Sequence, residues 1–293
     1  MEEWTDSAGR SGSISAENDV YSTRREDTEA APQHELDRNP RYRVLRSFHS
    51  SFLKEDREIS VYLPEAYQLE PQRRFPVFYL HDGQNLFDGR TSYCVNRTWR
   101  AHQAADAMTR EGQVEPIILV GVANTGLRRM AEYTPTRDTR MGGGEGGRYR
   151  RLLTEELKPL VDSRFRTLTD AQNTALGGSS LGGLITLALG LDYPNVFGKL
   201  AVMSPSIWWD NRSVLALVNQ TRHKGAQRMW LDMGTAEGLR HLRDTDLLHR
   251  RLILRGWKED VDLKYVRVPG AVHDEDAWAA RFDQVLRYLF PAR

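Results

Sequence analysis

The chain has 293 residues, with 41 basic and 40 acidic side chains and a formal net charge of +1. So even a balance gives no long-range reason to expect nucleic acid or an anionic membrane as partner. No run approaches the ~18 consecutive apolar residues of a membrane span, and the one cysteine, Cys94, excludes an intrachain disulfide.

Residues 1–39 are rich in Ser, Glu, Asp and Ala and poor in large apolar side chains. Such a segment buries too little surface to offset its ordering entropy, which predicts a disordered acidic tail ahead of a single folded domain over 40–293. The start, Met1-Glu2-Glu3-Trp4-Thr5-Asp6, lacks a basic stretch followed by an apolar one, so the expected location is cytoplasmic.

Strand signals begin after Arg41. Residues 43–53 and 58–63 are extended candidates flanking a turn at Lys54-Glu55-Asp56. Phe75-Pro76-Val77-Phe78-Tyr79-Leu80 and Pro116-Ile117-Ile118-Leu119-Val120-Gly121-Val122 are continuous apolar runs, as central strands buried on both faces require. Residues 174–176, 199–203, 228–232 and 261–268 complete the set. Leu153, Leu157 and Leu160 mark a helical face, residues 181–191 are apolar all round, and Trp278, Phe282, Val285, Leu286 and Leu289 mark the last helix. Strands alternating with helices predict an α/β fold with a mostly parallel central sheet, made mixed by antiparallel strands at the start. Gly142–Gly147 spells G-x-G-x-x-G but follows a polar loop, not a strand; it reads as a mobile loop at a site mouth rather than a dinucleotide fingerprint.

Gly178-Ser179-Ser180-Leu181-Gly182 carries the chemistry. This is G-x-S-x-G between an apolar strand and a buried helix, the setting that holds a serine on a tight turn with its hydroxyl exposed. Ser180 is the candidate nucleophile. A serine needs a general base, and the chain order in this architecture is Ser, then acid, then His. Of eight histidines, His223, His241, His249 and His273 follow Ser180. His223 precedes the strand that should carry the acid. His241 and His249 fall among Leu242, Leu248 and Leu252 in a helical pattern and read as surface residues. His273 sits in the loop after the last strand. The acid is Glu237 or Asp232, with Glu237 favoured because it lies beyond the strand end in a Gly-flanked loop. Two backbone N–H groups should face the oxyanion: that of Leu181, and that of Gly83 or Gln84 in the loop after the first central strand. His81 and Asp82 in that loop read either as a hydrogen-bonded turn or as substrate contacts, and Arg129 with Glu132 as an ion pair bracing a loop.

These pieces resemble the putative-esterase family of α/β-hydrolases, which contains esterase D, enterochelin-type siderophore esterases, feruloyl esterases and bacterial mycolyltransferases. The matching segments are Tyr79–Asp88, Arg129–Pro135, Gly177–Gly183, Ser204–Trp209, Gly234–Glu237 and His273–Glu275 with Trp278, in the family's order. The resemblance implies an α/β-hydrolase fold, the triad Ser180, Glu237 and His273, Gln84 as the second oxyanion donor, and Trp208 and Trp209 near the site, with core packing an equally good account of one of the two. The expected activity is carboxylic-ester hydrolysis through an acyl-enzyme, on a small-molecule ester. An acyltransferase on the same triad and a non-catalytic binding protein on the same fold are the alternatives. No metal or other cofactor is expected, since no H-E-x-x-H or comparable ligand spacing occurs.

Overall fold

The computed structural model describes Thr5–Asp6, residues 35–221 and residues 225–292. Most of the expected acidic tail, residues 1–4 and 7–34, lies outside the described residues, as does His223. Within the tail's span, Thr5–Asp6 form a short strand, β1, and Leu36 is buried in the core on a turn of helix at Glu35–Arg38, so packed structure begins a few residues before position 40.

The remaining strands are β2 (Tyr42–Phe48), β3 (Arg57–Tyr62), β4 (Val77–His81), β5 (Ile118–Val122), β6 (Arg137–Asp138), β7 (Gly142–Gly143), β8 (Thr174–Ser179), β9 (Lys199–Met203), β10 (Arg228–Gly234) and β11 (Leu263–Val268). Eight of them join β1 in one nine-stranded sheet of order β1-β2-β3-β5-β4-β8-β9-β10-β11, and β6 with β7 make a separate hairpin. From β1 to β5 the neighbours pair antiparallel; from β5 to β11 they pair parallel. This is the mixed, mostly parallel α/β-hydrolase sheet that the apolar runs predict.

Residues alternate sides along each central strand, and both sides are apolar because both are covered. Val77, Tyr79, Leu176, Leu200, Val202 and Leu231 enter one core; Phe78, Leu80, Ala175, Ala201, Met203 and Trp230 enter the other. The first core is capped by a helical stretch over 146–164, and by Leu181–Asp192, Val214–Gln220 and Leu239–Leu254. The second is capped by Ala101–Arg110 and Glu275–Leu289. The helix after β8 lies so close to β9 that a Cβ on Gly183 would stand 2.7 Å from the Met203 carbonyl oxygen. Only glycine permits that approach.

Three elements differ from expectation for local reasons. β2 ends at Phe48 rather than 53 because Ser50 and Ser51 turn away to hydrogen-bond the Glu156 carboxylate. Within Gly142–Gly147, Gly142 and Gly143 form the second strand of the β6–β7 hairpin and Gly146 opens a helix, with Gly143 packed against Thr134 and the Trp209 ring. β8 runs through Ser179, so the glycines ahead of Ser180 belong to the sheet itself. No helix among the described residues is long and apolar enough to cross a membrane.

Candidate active site

In a parallel sheet, the loops leaving the strands' C-terminal ends converge on one face. Here β4 delivers Asp82–Asn85, β8 delivers Ser180, β9 delivers Ser204–Ser206, β10 delivers Glu237 and β11 delivers His273.

Ser180 has φ +61° and ψ −123°, a backbone conformation costly for a residue with a side chain. Three hydrogen bonds hold it there. Its N–H donates to the Met203 carbonyl at 3.1 Å, and its own carbonyl accepts from Leu184 and Ser206 N–H at 3.0 Å each. The Ser180 and Ser206 hydroxyl oxygens are 3.4 Å apart. Ser180, Ser206, Trp208, Glu237, His241 and His273 line one cavity of about 190 Å³.

The Glu237 Oε2 lies 2.6 Å from His273 Nδ1. The other oxygen, Oε1, accepts from Gly234 N–H at 2.8 Å and from the Ser204 hydroxyl at 2.6 Å. The carboxylate is almost wholly buried, whereas the His273 side chain is 44% exposed. Burial pushes the Glu237 pKa up. The hydrogen bonds from His273 and Ser204, the charge of His273 and the Gly234 N–H outweigh burial and hold it below the ordinary glutamate value. The imidazole meets the Trp278 indole edge-on at 4.9 Å, which limits its tilt. Asp232, the other acid considered, is fully buried and spends its oxygens on Arg281, Trp230 Nε1 and Ser204 N–H; it does not reach the imidazole.

The loop after β4 is built around Asp82, whose φ is +57°. Arg129 clamps its carboxylate with two bonds of 2.7 Å, Asn124 Nδ2 adds a third of 2.7 Å, and the Tyr133 hydroxyl accepts its N–H. Burial raises the Asp82 pKa, but the guanidinium charge and these bonds hold it below the usual aspartate value. The clamp fixes the single helical turn Gly83–Asn85. A Cβ on Gly83 would lie 2.6 Å from the Gly121 carbonyl carbon, so glycine alone lets this turn sit against β5. Gln84 is held further by Asn124 N–H on its Oε1 and by the Thr91 hydroxyl on its carbonyl. The N–H groups of Gln84 and Leu181 belong to the first turns of their helices, where no preceding carbonyl is available to them.

Three expectations need correction. His81 is only 1% exposed; its ring packs beneath the elbow, against Gly178 and Gly182, with Nδ1 bonded to the Tyr149 hydroxyl. With Asp82 also buried on Arg129, both residues support the turn from below rather than face the cavity. Trp209 is 1% exposed and donates its indole N–H to the Thr136 carbonyl, so of the tandem tryptophans only the half-buried Trp208 lines the cavity. Arg129 and Glu132 do brace loops, but not each other. Arg129 takes Asp82, and Glu132 takes Arg57 in a pair with side chains 0% and 1% exposed.

His241, expected on the surface, instead lines the cavity, and Ser204, Ser206 and Arg281 join the site without a role having been expected of them. Ser204 and Ser206 could have been found from their place directly after the β9 run. Arg281 is a charge three residues after Trp278, on the apolar face of the last helix. His241 is on the first turn of a helix opened by Gly238, at φ +108°.

The family model for putative esterases matches residues 50–289. The chain belongs to the putative esterase family. Membership makes it a serine esterase. Among curated relatives, the uncharacterized protein YbbA of Bacillus subtilis is 27% identical over 248 residues, covering 80% of this chain and 93% of that protein. A siderophore triacetylfusarinine C esterase of Aspergillus fumigatus is 29% identical over 146 residues, covering 48% of this chain and 47% of that one. Among solved structures, the BES protein of Bacillus cereus superposes with a TM-score of 0.71 at 23% identity, covering 90% of this chain and 99% of its own, which speaks to the fold alone. Among the described residues, no group of three or more His, Cys, Asp or Glu side chains is arranged to hold a metal ion.

Proposed function

We propose that the protein hydrolyses a small-molecule carboxylic ester through an acyl-enzyme on Ser180, with His273 as general base and acid and Glu237 as the residue that orients it. One observation carries the reading: the strained Ser180 opens on the same cavity as a histidine whose Nδ1 is 2.6 Å from a buried carboxylate. With Nδ1–H donated to Glu237, the imidazole presents a basic Nε2 towards the cavity. That nitrogen takes the Ser180 proton as Oγ attacks the ester carbonyl, and the imidazolium gains a counter-charge.

The negative charge that develops on the carbonyl oxygen falls to the Leu181 and Gln84 N–H groups, fixed in place before the reaction begins. His273 then protonates the leaving alcohol. A water molecule deprotonated by the same nitrogen attacks the acyl-serine, and collapse of the second tetrahedral intermediate releases the acid and restores Ser180. Each step moves one proton between oxygen and His273.

Substrate choice rests with Trp208, His241 and the loops around the mouth. The A. fumigatus relative is a siderophore esterase and a relative of Xylanibacter ruminicola is a xylanase/feruloyl esterase, so both ester classes belong in the test. Purified wild type and Ser180→Ala would be run on p-nitrophenyl acetate and butyrate, methyl ferulate, acetylated sugars and a catecholate siderophore lactone. Turnover by wild type that is lost in the folded Ser180→Ala protein is expected. Equal turnover by both proteins would overturn the assignment of Ser180.

A further inference from the structure

We propose that Arg281, held between Asp232 and Ser204, is a positioning residue that aims the Ser204 hydroxyl at Glu237 and so determines which carboxylate oxygen is left for His273. The proposal rests on the reading of Ser180, His273 and Glu237 given above.

The donor count fixes the direction of every bond. Guanidinium and indole N–H groups can only donate, while a serine hydroxyl has one proton and two lone pairs. Arg281 Nη2 donates to Ser204 Oγ at 2.7 Å and Trp278 Nε1 donates to the same oxygen at 3.1 Å. Both lone pairs are taken, so the one proton of Ser204 points along its 2.6 Å contact to Glu237 Oε1. That oxygen also receives Gly234 N–H. Oε1 is thereby occupied twice over, and Oε2 is the oxygen that faces the imidazole.

Arg281 needs a counter-charge of its own. It is 2% exposed, and its Nη2 lies 3.9 Å from Glu237 Oε1, near enough to draw that carboxylate off the histidine. Asp232, fully buried, accepts the same Nη2 at 2.9 Å. It is itself locked by Trp230 Nε1 at 2.6 Å and Ser204 N–H at 3.1 Å, and Arg281 Nη1 is anchored on the Ala277 carbonyl at 2.8 Å.

The buried set of one cation and two carboxylates carries one net negative charge at rest. Together with the imidazolium formed when His273 accepts the Ser180 proton, the four groups sum to zero, so the surroundings are balanced in the state that must be stabilised. The acid that loses to Glu237 as the histidine's partner thus neutralises the arginine that would otherwise compete for Glu237. The other charged groups near His273 are already engaged or shared: Asp274 bonds Arg97, Glu275 bonds Asn85, and His241 stands on the cavity wall.

The test measures kcat, KM and the pH profile of kcat/KM for Ser204→Ala, Asp232→Asn, Arg281→Met and the double Asp232→Asn/Arg281→Met variant, with folding checked by circular dichroism. Ser204→Ala removes one buried oxygen only. It should lower kcat by roughly tenfold to a hundredfold with KM unchanged. Asp232→Asn adds net positive charge beside the imidazole and should move the acid limb to lower pH. Arg281→Met adds net negative charge and should move it to higher pH, each by about one unit, and the double variant should return it close to wild type. A merely structural role would lower the folded fraction and leave the limbs in place.

A Ser204→Ala enzyme with kcat within twofold of wild type would overturn the proposal, as would single charge variants that fold but leave the limb where it was. Ser180→Ala is run in parallel. Activity that survives it refutes the underlying reading, whereas serine-dependent activity that is indifferent to Ser204 and Arg281 refutes only this inference.

Discussion

Replacing Glu237 by glutamine changes one oxygen to an NH2 group and nothing in size, and the surrounding bonds dictate the outcome. All three partners of the carboxylate donate to it: Gly234 N–H and Ser204 O–H to Oε1, and His273 to Oε2. An amide offers one oxygen and one nitrogen. Placing the oxygen where two donors converge and the NH2 towards His273 leaves one mismatch; the reverse leaves two. The NH2 therefore faces Nδ1, which must become an acceptor, and the imidazole proton moves to Nε2. A histidine in that tautomer cannot take the Ser180 proton. The expected loss in kcat is about 10³–10⁴, or about 4–5 kcal/mol of transition-state stabilisation. The assay is steady-state hydrolysis of an activated ester at the pH optimum, with the unfolding midpoint of each protein measured alongside. A folded Glu237→Gln enzyme within tenfold of wild-type kcat would refute the reasoning.

The geometry supports three further predictions. Gly83→Ala puts a methyl 2.6 Å from the Gly121 backbone and must displace the turn carrying the Gln84 N–H; kcat should fall about 10²-fold with a smaller change in KM, and an unaltered kcat would count against that N–H as an oxyanion donor. Burial pushes the His81 pKa down to about 3, against about 6.5 in an unfolded chain. Below pH 6.5 the unfolded state therefore binds the extra proton. His81 should remove roughly 2 kcal/mol of stability between pH 6.5 and 5, a loss that urea titrations of His81→Gln should not show. Trp209→Ala should cost about 3–5 kcal/mol, the loss expected for a core tryptophan. Trp208→Ala should instead alter the relative kcat/KM among esters with the smaller shift in urea midpoint, and the reverse pattern would contradict the placement of the two rings.

The strands and the elbow were legible because their signals are local. Continuous apolar runs over β4, β5, β9 and β10 reflect burial on both faces, and a glycine-framed serine between strand and helix has few other uses. The helix Ala101–Arg110 was not legible because its buried face is Ala101, His102 and Ala105, too small to mark an apolar stripe. The hairpin at Gly142–Gly143 uses glycines at φ +81° and +82°, which carry no strand signature. Side-chain partnerships were hidden for a different reason. Arg129 meets Asp82 across 47 residues and Glu132 meets Arg57 across 75, so neighbours in sequence proved to be braces for separate loops. Which tryptophan faces the cavity depends on the turn that follows, where Asp210, Asn211 and Arg212 all have positive φ. The place of Glu237 beyond the strand end sets it apart from Asp232 in the sequence alone; the position of Arg281, which accounts for Asp232, depends on how the last helix docks.

Ser180 is the residue proposed to form the acyl-enzyme, and its neighbour Ser179 gives the natural control. The protein would be mixed with a fluorophosphonate or a slowly deacylating activated ester, quenched in acid, digested and mapped by tandem mass spectrometry. One equivalent of adduct on Ser180, absent from Ser180→Ala and greatly slowed in a His273→Ala variant, is the predicted result. Adduct on Ser179, on another residue, or at equal rate without His273 would contradict the account.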